Sequence, residues 1–413
     1  MRLPSLTPLL TRAAFFVTFA TCAAALAAPV SWTEVIARLD ETSPALAEAR
    51  FRLAEAEAAL AASKALPDPT VFAEGQNLKS GGEHETEQTF GIQQSFSFLW
   101  LQRPKTAARK LAYKAEQAAY EETRRELVVR VISLASLYRS LEQQGTLLDT
   151  VLSTARQVQQ AANARSREGD ISDYDAKRLH AELIQLQLRR TRLASERNRT
   201  AAELLARAGV SPDTLLHLVP PRLPALPLAD AEESARQAVA NRLSVQSKHT
   251  LAEAGRRAYA AAKLNSWPDF SVGIGRKTVG AEISGLLWRA ELEIPISGQR
   301  RSERMLARAE WRRADAEYQA TLRQAEQEAR AAFAEWSALQ SALVPSESFD
   351  IEDAELSLRR GVQLHLNGEF SSAELVDALR SSLDALAAHL DLQTALLTAS
   401  LELRRVTGLN ILE

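Results

Sequence analysis

Residues 169–210 read GDISDYDAKRLHAELIQLQLRRTRLASERNRTAAELLARAGV, and residues 368–409 read GEFSSAELVDALRSSLDALAAHLDLQTALLTASLELRRVTGL. The two stretches share few identities, but they place a glycine, a serine and an acidic residue at the same spacing: Gly169, Ser172 and Asp175, then Gly368, Ser371 and Glu374. Glycine can adopt the left-handed conformation that ends one helix, and serine can cap the next. Each copy therefore predicts a helix, a tight reversal and a second long helix.

The length and composition fit one duplicated unit. The chain has 413 residues with only 16 glycines and 15 prolines, and such sequences favour long helices. We predict a first repeat over residues 28–218, a proline-rich linker over 219–228 and a second repeat over 229–413. The formal net charge of −2 gives no basic excess of the kind that binds nucleic acid.

Residues 1–27 have the pattern of a secretory signal peptide. Arg2 and Arg12 accompany an apolar run, and small residues lie at the predicted cleavage site before Ala28. Removing this leader changes the net charge to −4, because it carries two arginines and no acid. The only cysteine, Cys22, lies in the leader, so the exported chain is expected to have no disulfide. Lipidation of Cys22 is an alternative that the preceding residues 19–21 favour less than plain cleavage.

Two segments change from helical to alternating periodicity, which is typical of strands with one apolar face. One strand pair is predicted over residues 70–98, with a polar turn near 78–87, and another over residues 269–296. In both, large apolar residues alternate with small or polar ones. The apolar residues predicted to face lipid are Phe90, Ile92, Phe96, Phe98, Leu286, Trp288, Leu292 and Ile294.

Long helices flank both strand pairs. A helix pair is predicted over residues 103–208, and its apolar or small residues from Leu127 to Ala155 follow the alternating spacing of a coiled-coil seam. The second repeat predicts helices over residues 300–366, interrupted at Pro345, and over 371–407. One further helix is predicted before each strand pair, over residues 32–64 and 229–264.

Strands that are apolar on one face and polar on the other suit a membrane barrel with lipid outside and water inside. A soluble sandwich shows the same alternation, but the predicted export, together with Glu291 and Glu293 on the polar face, favours a barrel. Four strands are fewer than the roughly eight of the smallest bacterial barrels, so several chains must contribute. We therefore predict a mainly α-helical fold with a membrane β-barrel portion formed by an oligomer.

The repeated order of helix, strand pair and long helix pair, together with the G-x-x-S-x-x-D/E turn, resembles the TolC family of outer-membrane efflux proteins. The resemblance covers essentially the whole mature sequence. It implies a homotrimer whose twelve strands form one β-barrel in the bacterial outer membrane and whose twelve helical staves form an α-barrel through the periplasm. It also implies two partners, a periplasmic adaptor (membrane fusion) protein and an inner-membrane pump.

The resemblance also implies a class of cargo. The short loops and the length are most similar to the CzcC-like cation-efflux branch, which implies an exit duct that passively conducts heavy-metal cations. Exporters of drugs or organic solvents share the same frame, so these cargoes are the alternative.

The resemblance also implies a pore constriction. In the family, acidic residues six and nine positions after the second turn glycine narrow the periplasmic entrance, and here they are Glu374 and Asp377. In a trimer, two acids from each of three chains would give rings of six carboxylates that attract cations. Without the resemblance, two solvated acids on a charged helix would be the plainer interpretation. In the first repeat, Asp175 is followed by Arg178 at the second of these positions, so only the second repeat has the pair.

The turns resemble the helix tips that contact the adaptor, although helix capping alone would also explain their residues. The candidate adaptor-contacting residues are Gly169, Asp170, Ser172, Gly368, Glu369 and Ser371.

No other motif points to a chemical site. Residues 273–278, GIGRKT, lack the spacing of a phosphate-binding loop. None of the six histidines has a partner at ligand spacing, so we expect no metal site. No set of nucleophile, acid and base appears either, so we expect no enzymatic activity and no cofactor. A periplasmic coiled-coil scaffold or adaptor is an alternative from a different class, but residues 209–230 are too short for the lipoyl-like domain that adaptors carry.

Overall fold

The computed structural model describes residues 38–80, 83–169, 171–208, 226–280, 283–296, 298–343 and 351–411. The predicted leader, Asp170 and residues 219–225 of the predicted linker lie outside these ranges.

The described part of the first repeat contains one strand pair with long helices before and after it. Helix α1 spans Pro44–Lys64, strand β1 Thr70–Ser80, strand β2 Glu83–Ser95, helix α2 Phe98–Glu168 and helix α3 Asp173–Ala208. Helix α2 has 71 residues, so at 1.5 Å per residue it is about 105 Å long. It runs to the Gly169 turn, where α3 begins its return.

The described part of the second repeat has the same order with two additional short helices. Helix α4 spans Ala231–Asn241, helix α5 Leu243–Leu264, strand β3 Asp269–Val279 and strand β4 Ile283–Glu293. Helix α6 spans Gln299–Leu343, helix α7 Ile351–Leu366 and helix α8 Ser372–Thr407. The prediction of a mainly helical, internally repeated fold with two strand pairs is confirmed.

The strand ends differ from the prediction. Strand β2 ends at Ser95, so Phe96 follows the strand and Phe98 is the first residue of α2, because the backbone turns as Leu99 N–H donates to the Phe96 carbonyl. Ile294 likewise follows β4, which ends at Glu293. Helix α2 starts five residues before the predicted position 103, with Pro104 inside it.

The helix predicted over residues 229–264 is in fact two helices. It divides at Arg242, whose backbone is extended, with φ −66° and ψ 124°. The first helix divides in the same way at Ser43, because Pro44 fixes the backbone at the start of α1.

All four strands form one antiparallel sheet in the order β1-β2-β3-β4. The repeats join in its middle, where Gly91 of β2 pairs with Gly275 of β3. A Cβ atom on Gly91 would lie 2.5 Å from the carbonyl oxygen of Ile274 and 2.4 Å from the Phe72 ring. Glycine is therefore required where the two repeats pair.

Each strand continues into one long helix. β1 and β3 follow α1 and α5, and β2 and β4 lead into α2 and α6. These helices pack side by side, α2 against α1 and α5, and α5 against α6. The order of the helices therefore matches the order of the strands, and we call these four helices the staves.

The sheet is curved, with its polar face on the concave side. Arg289 of β4 donates to Glu74 of β1 at 2.6 Å, although two strands lie between them. In a flat sheet the outer strands would be roughly 14 Å apart, since neighbours are spaced about 4.8 Å. Gln93 of β2 and Glu291 of β4 also join at 2.6 Å across this face. The opposite, apolar face is therefore convex.

The helices bury coiled-coil seams. Of the nine predicted seam positions on α2, eight are buried, and Ala155 packs against the same core while partly buried. One hydrophobic cluster lies near the turns and joins α2 to the beginnings of α3 and α8. A second cluster joins α2 to the C-terminal ends of α3 and α8. No helix in the described ranges has both the length and the apolar character that crossing a membrane requires.

A cluster of charged side chains is buried where the two repeats meet. Arg242, in the break between α4 and α5, pairs with Glu328 of α6 at 2.6 Å and lies 3.9 Å from Glu122 of α2. Arg405 of α8 pairs with the same Glu122 at 3.0 Å. Burial raises the pKa of Glu122, against the opposing effect of the two arginines, and a hydrogen bond to Glu402 raises the pKa of Arg405. The charges therefore hold four helices of both repeats together.

We predict that Arg405→Ala lowers the free energy of unfolding by about 3 kcal/mol, because it leaves Glu122 buried without its nearest cation. The measurement is thermal unfolding of the detergent-solubilised protein. The matched control is Arg236→Ala, which removes an arginine from a surface pair with Glu233 and should change the midpoint little. Equal shifts in the two variants would contradict a special role for the buried cluster.

Candidate functional site at the helical turns

Two glycines form the turns that reverse the chain. Gly169 has φ +86° and Gly368 has φ +80°, in the left-handed region that favours glycine. The Gly169 N–H donates to the Ser166 carbonyl at 3.2 Å, and the Gly368 N–H donates to the His365 carbonyl at 3.1 Å. Both turns thus complete the hydrogen bonding of the helix that they end.

Ser371 and Glu374 form a capping box at the start of α8. The Glu374 N–H donates to Ser371 Oγ at 3.3 Å, and the Ser371 N–H donates to Glu374 Oε2 at 2.7 Å. These bonds to Ser371 lower the pKa of Glu374. In the first repeat, the Asp175 N–H donates to Ser172 Oγ at 3.1 Å. The acid six positions after each glycine, Asp175 or Glu374, therefore has a capping role.

Asp377 has a different environment from Glu374. It is exposed one turn further along α8, and it forms no hydrogen bond or ion pair in the described part of the chain. The opposite side of the same helix carries Leu375, Val376 and Leu379, which are buried against α2 and α3. The packing of these residues fixes the direction in which the acidic face points.

Ion pairs join α8 to α3 just beyond the turns. Arg380 donates to Glu182 Oε1 at 2.9 Å and to Gln185 at 2.8 Å, and the bond to Glu182 raises the pKa of Arg380. Arg189 pairs with Asp384 at 2.6 Å. The pairs link the two hairpins of the chain near the predicted constriction.

These linking residues were missed from the sequence. Glu182 is only 5% exposed and lies on the leucine face of α3, between Leu179 and Leu183. An acid on a leucine face was a signal that it needed a cationic partner. The identity of that partner, Arg380, could not be read from spacing, because it lies in the other repeat.

His365 stabilises the second turn. Its Nδ1 lies 2.9 Å from the Phe370 carbonyl oxygen, which places a protonated Nδ1 as donor. The backbone N–H groups of Glu369 and Phe370 both donate to the Leu364 carbonyl, at 2.9 and 3.1 Å. The ring therefore belongs to the hydrogen bonding of the turn.

The apolar strand residues form an exposed surface. Leu286 is 85% and Trp288 75% exposed, and strand pairing places Trp288 in one row with Ile274 and Ile92. Of the eight predicted residues, six are exposed: Phe90, Ile92, Leu286, Trp288, Leu292 and Ile294. Phe96 and Phe98 are half-buried where the sheet meets α2.

The concave face of the sheet carries an aromatic and cationic pair that sequence reasoning missed. The Phe72 ring lies against Gly91 and Gly273, and the guanidinium carbon of Arg289 lies 4.3 Å from the ring centroid. The glycines leave room for the ring to lie along the sheet. This is a cation–π contact, and the Arg289 pair with Glu74 holds it in place.

Within the described ranges, no group of three or more histidine, cysteine, aspartate or glutamate side chains could hold a metal ion. Residues 273–278, which resemble the end of a phosphate-binding loop, lie within strand β3.

Known proteins resemble this chain in sequence and in fold. Residues 235–409 match the family model described as outer membrane efflux protein. No curated protein sequence matches the chain.

Three solved structures have the same fold. A structure of CusC, described in terms of transmembrane channel formation, has a TM-score of 0.70 and 16% identity, covering 92% of each chain. The outer membrane protein VceC of Vibrio cholerae has a TM-score of 0.72 and 18% identity, covering 92% of this chain and 96% of that one. The CmeC outer membrane channel of Campylobacter jejuni has a TM-score of 0.75 and 15% identity, covering 91% and 85%. The chain therefore has the TolC-like fold of these proteins, and residues 235–409 match in sequence the model of the outer membrane efflux proteins.

Proposed function

We propose that the protein is the outer-membrane exit duct of a tripartite efflux system, extending into the periplasm. The observation that carries the proposal is the continuation of four strands into four staves in the same order. The sheet is polar on its concave face and exposes Leu286, Trp288 and Leu292 on the other. A closed ring of such units has a polar interior and an apolar belt at one end.

Closure of the ring requires several copies. Strands β1 and β4 each have one unpaired edge in the described part of the chain. An open edge cannot lie in hydrocarbon because its backbone groups would lack partners. Three copies, as the resemblance to the family implies, supply twelve strands and twelve staves. The large exposed apolar face favours this function over that of a periplasmic scaffold or adaptor, because the strands of such a protein would not lie against lipid.

The turns form the opposite end of the duct. There we propose that Gly169, Ser172, Gly368, Glu369 and Ser371, with Asp170, contact a periplasmic adaptor that couples the duct to an inner-membrane pump.

Glu374 and Asp377 would line the entrance of the trimer. Their six carboxylates, two from each of three chains, support passage of cations, in line with the CzcC-like branch. Drugs or organic solvents are the alternative cargo. Transport would be passive, with the pump supplying the energy.

The function predicts that the purified protein is a trimer that conducts ions. We expect a threefold mass by light scattering in detergent and discrete conductance steps in a planar bilayer. A monomer found only in the soluble periplasmic fraction would contradict the proposal.

The entrance predicts a specific effect of charge removal. In the variant Glu374→Gln with Asp377→Asn, block of the channel by multivalent cations should weaken about tenfold or more, because the carboxylate field concentrates cations. Glutamine keeps an oxygen that can accept the Ser371 N–H. The matched control is Glu253→Gln with Asp315→Asn, two exposed acids far from the turns. Weaker block in both variants would assign the effect to net charge alone.

The capping box predicts a pH dependence at the entrance. Because the pKa of Glu374 is lowered in the fold, its contribution to stability is present above the ordinary value of 4.5 and is lost as pH falls through the lower folded value. Hydrogen-exchange protection of the first turn of α8, corrected for intrinsic rates, should stay constant from neutral pH to about 4.5 and then decline. In Glu374→Gln this decline should be absent, and its persistence would show that another group titrates.

A further inference from the structure

The ends of the staves that adjoin the sheet are rich in basic residues. Residues 98–114, which begin α2, contain five lysines and arginines and no acid. Residues 299–313, which begin α6, contain six arginines and two glutamates. This local excess contrasts with the net charge of −2 for the whole chain. Its placement on the staves decides what it can contact.

On α2 the basic residues divide between two opposite faces. Lys105 and Arg109 line a groove of about 800 Å³ that all four staves share, so they lie on the concave side of the stave layer. At 100° per residue, Arg103, Lys110 and Lys114 lie together on the other side of the helix. All three are exposed and form no ion pair in the described ranges. The outward face of α2 is therefore purely basic over these turns.

Helix α6 shows the same division more strongly. Its two acids in this region, Glu303 and Glu310, lie on the groove side, where Asn265 donates to Glu303 at 3.3 Å and Glu310 lines the groove. Four arginines follow one another on the opposite side at spacings of three, four and four: Arg301, Arg304, Arg308 and Arg312. The first acid on that side is Asp315, one turn further from the sheet.

The other two staves continue the pattern. On α5 the outward side carries Arg256, Arg257 and Lys263 nearest the sheet, with Glu253 one turn further away, and on α1 it carries Lys64 nearest the sheet, with Glu57 two turns further away. The groove side, in contrast, is nearly balanced, because Lys105, Arg109 and Arg313 face Glu303, Glu310 and Glu317. We call the outward basic residues of the four staves the basic belt.

Exposed apolar residues lie between the basic belt and the strands. Leu66 is 62% exposed, Leu99 65%, Trp267 61% and Ile296 90%. Leu99 lies one turn before Arg103 on the same face of α2. The convex surface thus passes from apolar strands through exposed apolar residues to cations, which is the order of hydrocarbon, interface and headgroups in a bilayer.

We propose that the basic belt binds the phosphate groups of anionic phospholipids in the leaflet of the outer membrane that faces the periplasm. The proposal rests on the proposed function, since it needs the strands to lie in the membrane. Arg301 and Arg103 lie about 3 and 8 Å along their helices from the helix start, within reach of the headgroups. Cations further along act through the surface potential, which extends about one Debye length.

Charge and position favour a lipid over other occupants. A lipid headgroup explains why the cations follow directly on the lipid-facing strands and why they lie on the outward side of all four staves. An acidic protein would need neither feature. The interior of the duct, where cargo passes, lacks the excess.

The test measures lipid preference of the reconstituted trimer. Spin-labelled phosphatidylglycerol and phosphatidylcholine are compared by electron paramagnetic resonance in bilayers of phosphatidylcholine. We expect the unsubstituted protein to associate preferentially with phosphatidylglycerol, and the preference to decline as salt is added. In the variant Arg103→Gln, Lys110→Gln, Arg308→Gln, the preference should fall about twofold or more.

The matched control removes the same residue types at similar depth from the groove side: Lys105→Gln, Arg109→Gln, Arg313→Gln. It should keep the preference of the unsubstituted protein. Equal loss in both variants, or loss in neither, would overturn the proposal. An unsubstituted trimer that shows no preference for phosphatidylglycerol would also overturn it. This measurement tests the proposal even if the outward variant does not assemble. A protein that conducts but shows no preference overturns only the basic belt, whereas one that never enters bilayers overturns the proposed function as well.

Discussion

Unpaired backbone groups at the two outer strands are the constraint on which the rest of the structure depends. Among the residues that the structure describes, β1 and β4 pair on one side only. Charged groups or a covering helix protect such edges in soluble proteins, but hydrocarbon offers no partner for an open N–H or C=O group. In the proposed duct the edges must therefore pair with neighbouring copies. Because every strand continues into a stave, pairing at the sheet also sets which helices become neighbours between copies.

The two repeats contact each other at the sheet, in the middle of the helices and near the turns. At the sheet, Gly91 and Gly275 bring the repeats into close contact. In the middle, Glu122 meets the arginines of α8 and of the α4–α5 break. Near the turns, Arg380 meets Glu182. Removing one partner of a buried pair leaves an uncompensated charge, so these contacts fix how the repeats align more than they add net stability.

Local patterns were sufficient to predict the repeat, the strand pairs, the α2 seam and the glycine turns. Each depends on residues within a few positions, such as the alternation around Trp288 or the spacing of Gly368 and Ser371. The break at Arg242 was not predicted, because no proline or glycine marks it. It coincides instead with a buried ion pair between Arg242 and Glu328, which lies in a different helix.

The candidate site was predictable only in part. The sequence placed Glu374 and Asp377 on one helix face. It could not show that Glu374 is hydrogen-bonded to Ser371 while Asp377 forms no hydrogen bond in the described ranges. The curvature of the sheet was equally hidden, since the pair of Arg289 and Glu74 joins strands of different repeats. The position of the basic belt needed the stave order, which decides which side of each helix faces outward.

The two turns of one chain differ in charge. After the first, Lys177 and Arg178 are exposed, and at the matching place after the second, Asp377 is exposed. Three copies of the proposed trimer would present six tips around one rim, alternating between one that exposes Arg178 and one that exposes Asp377 at the matching position. A docking protein with a single type of binding site would then find only three equivalent binding positions on the rim. Six identical docking subunits could bind the rim only in two different binding modes. Because the chain is duplicated, such a partner would bind either as three copies in one mode or as six copies in two modes.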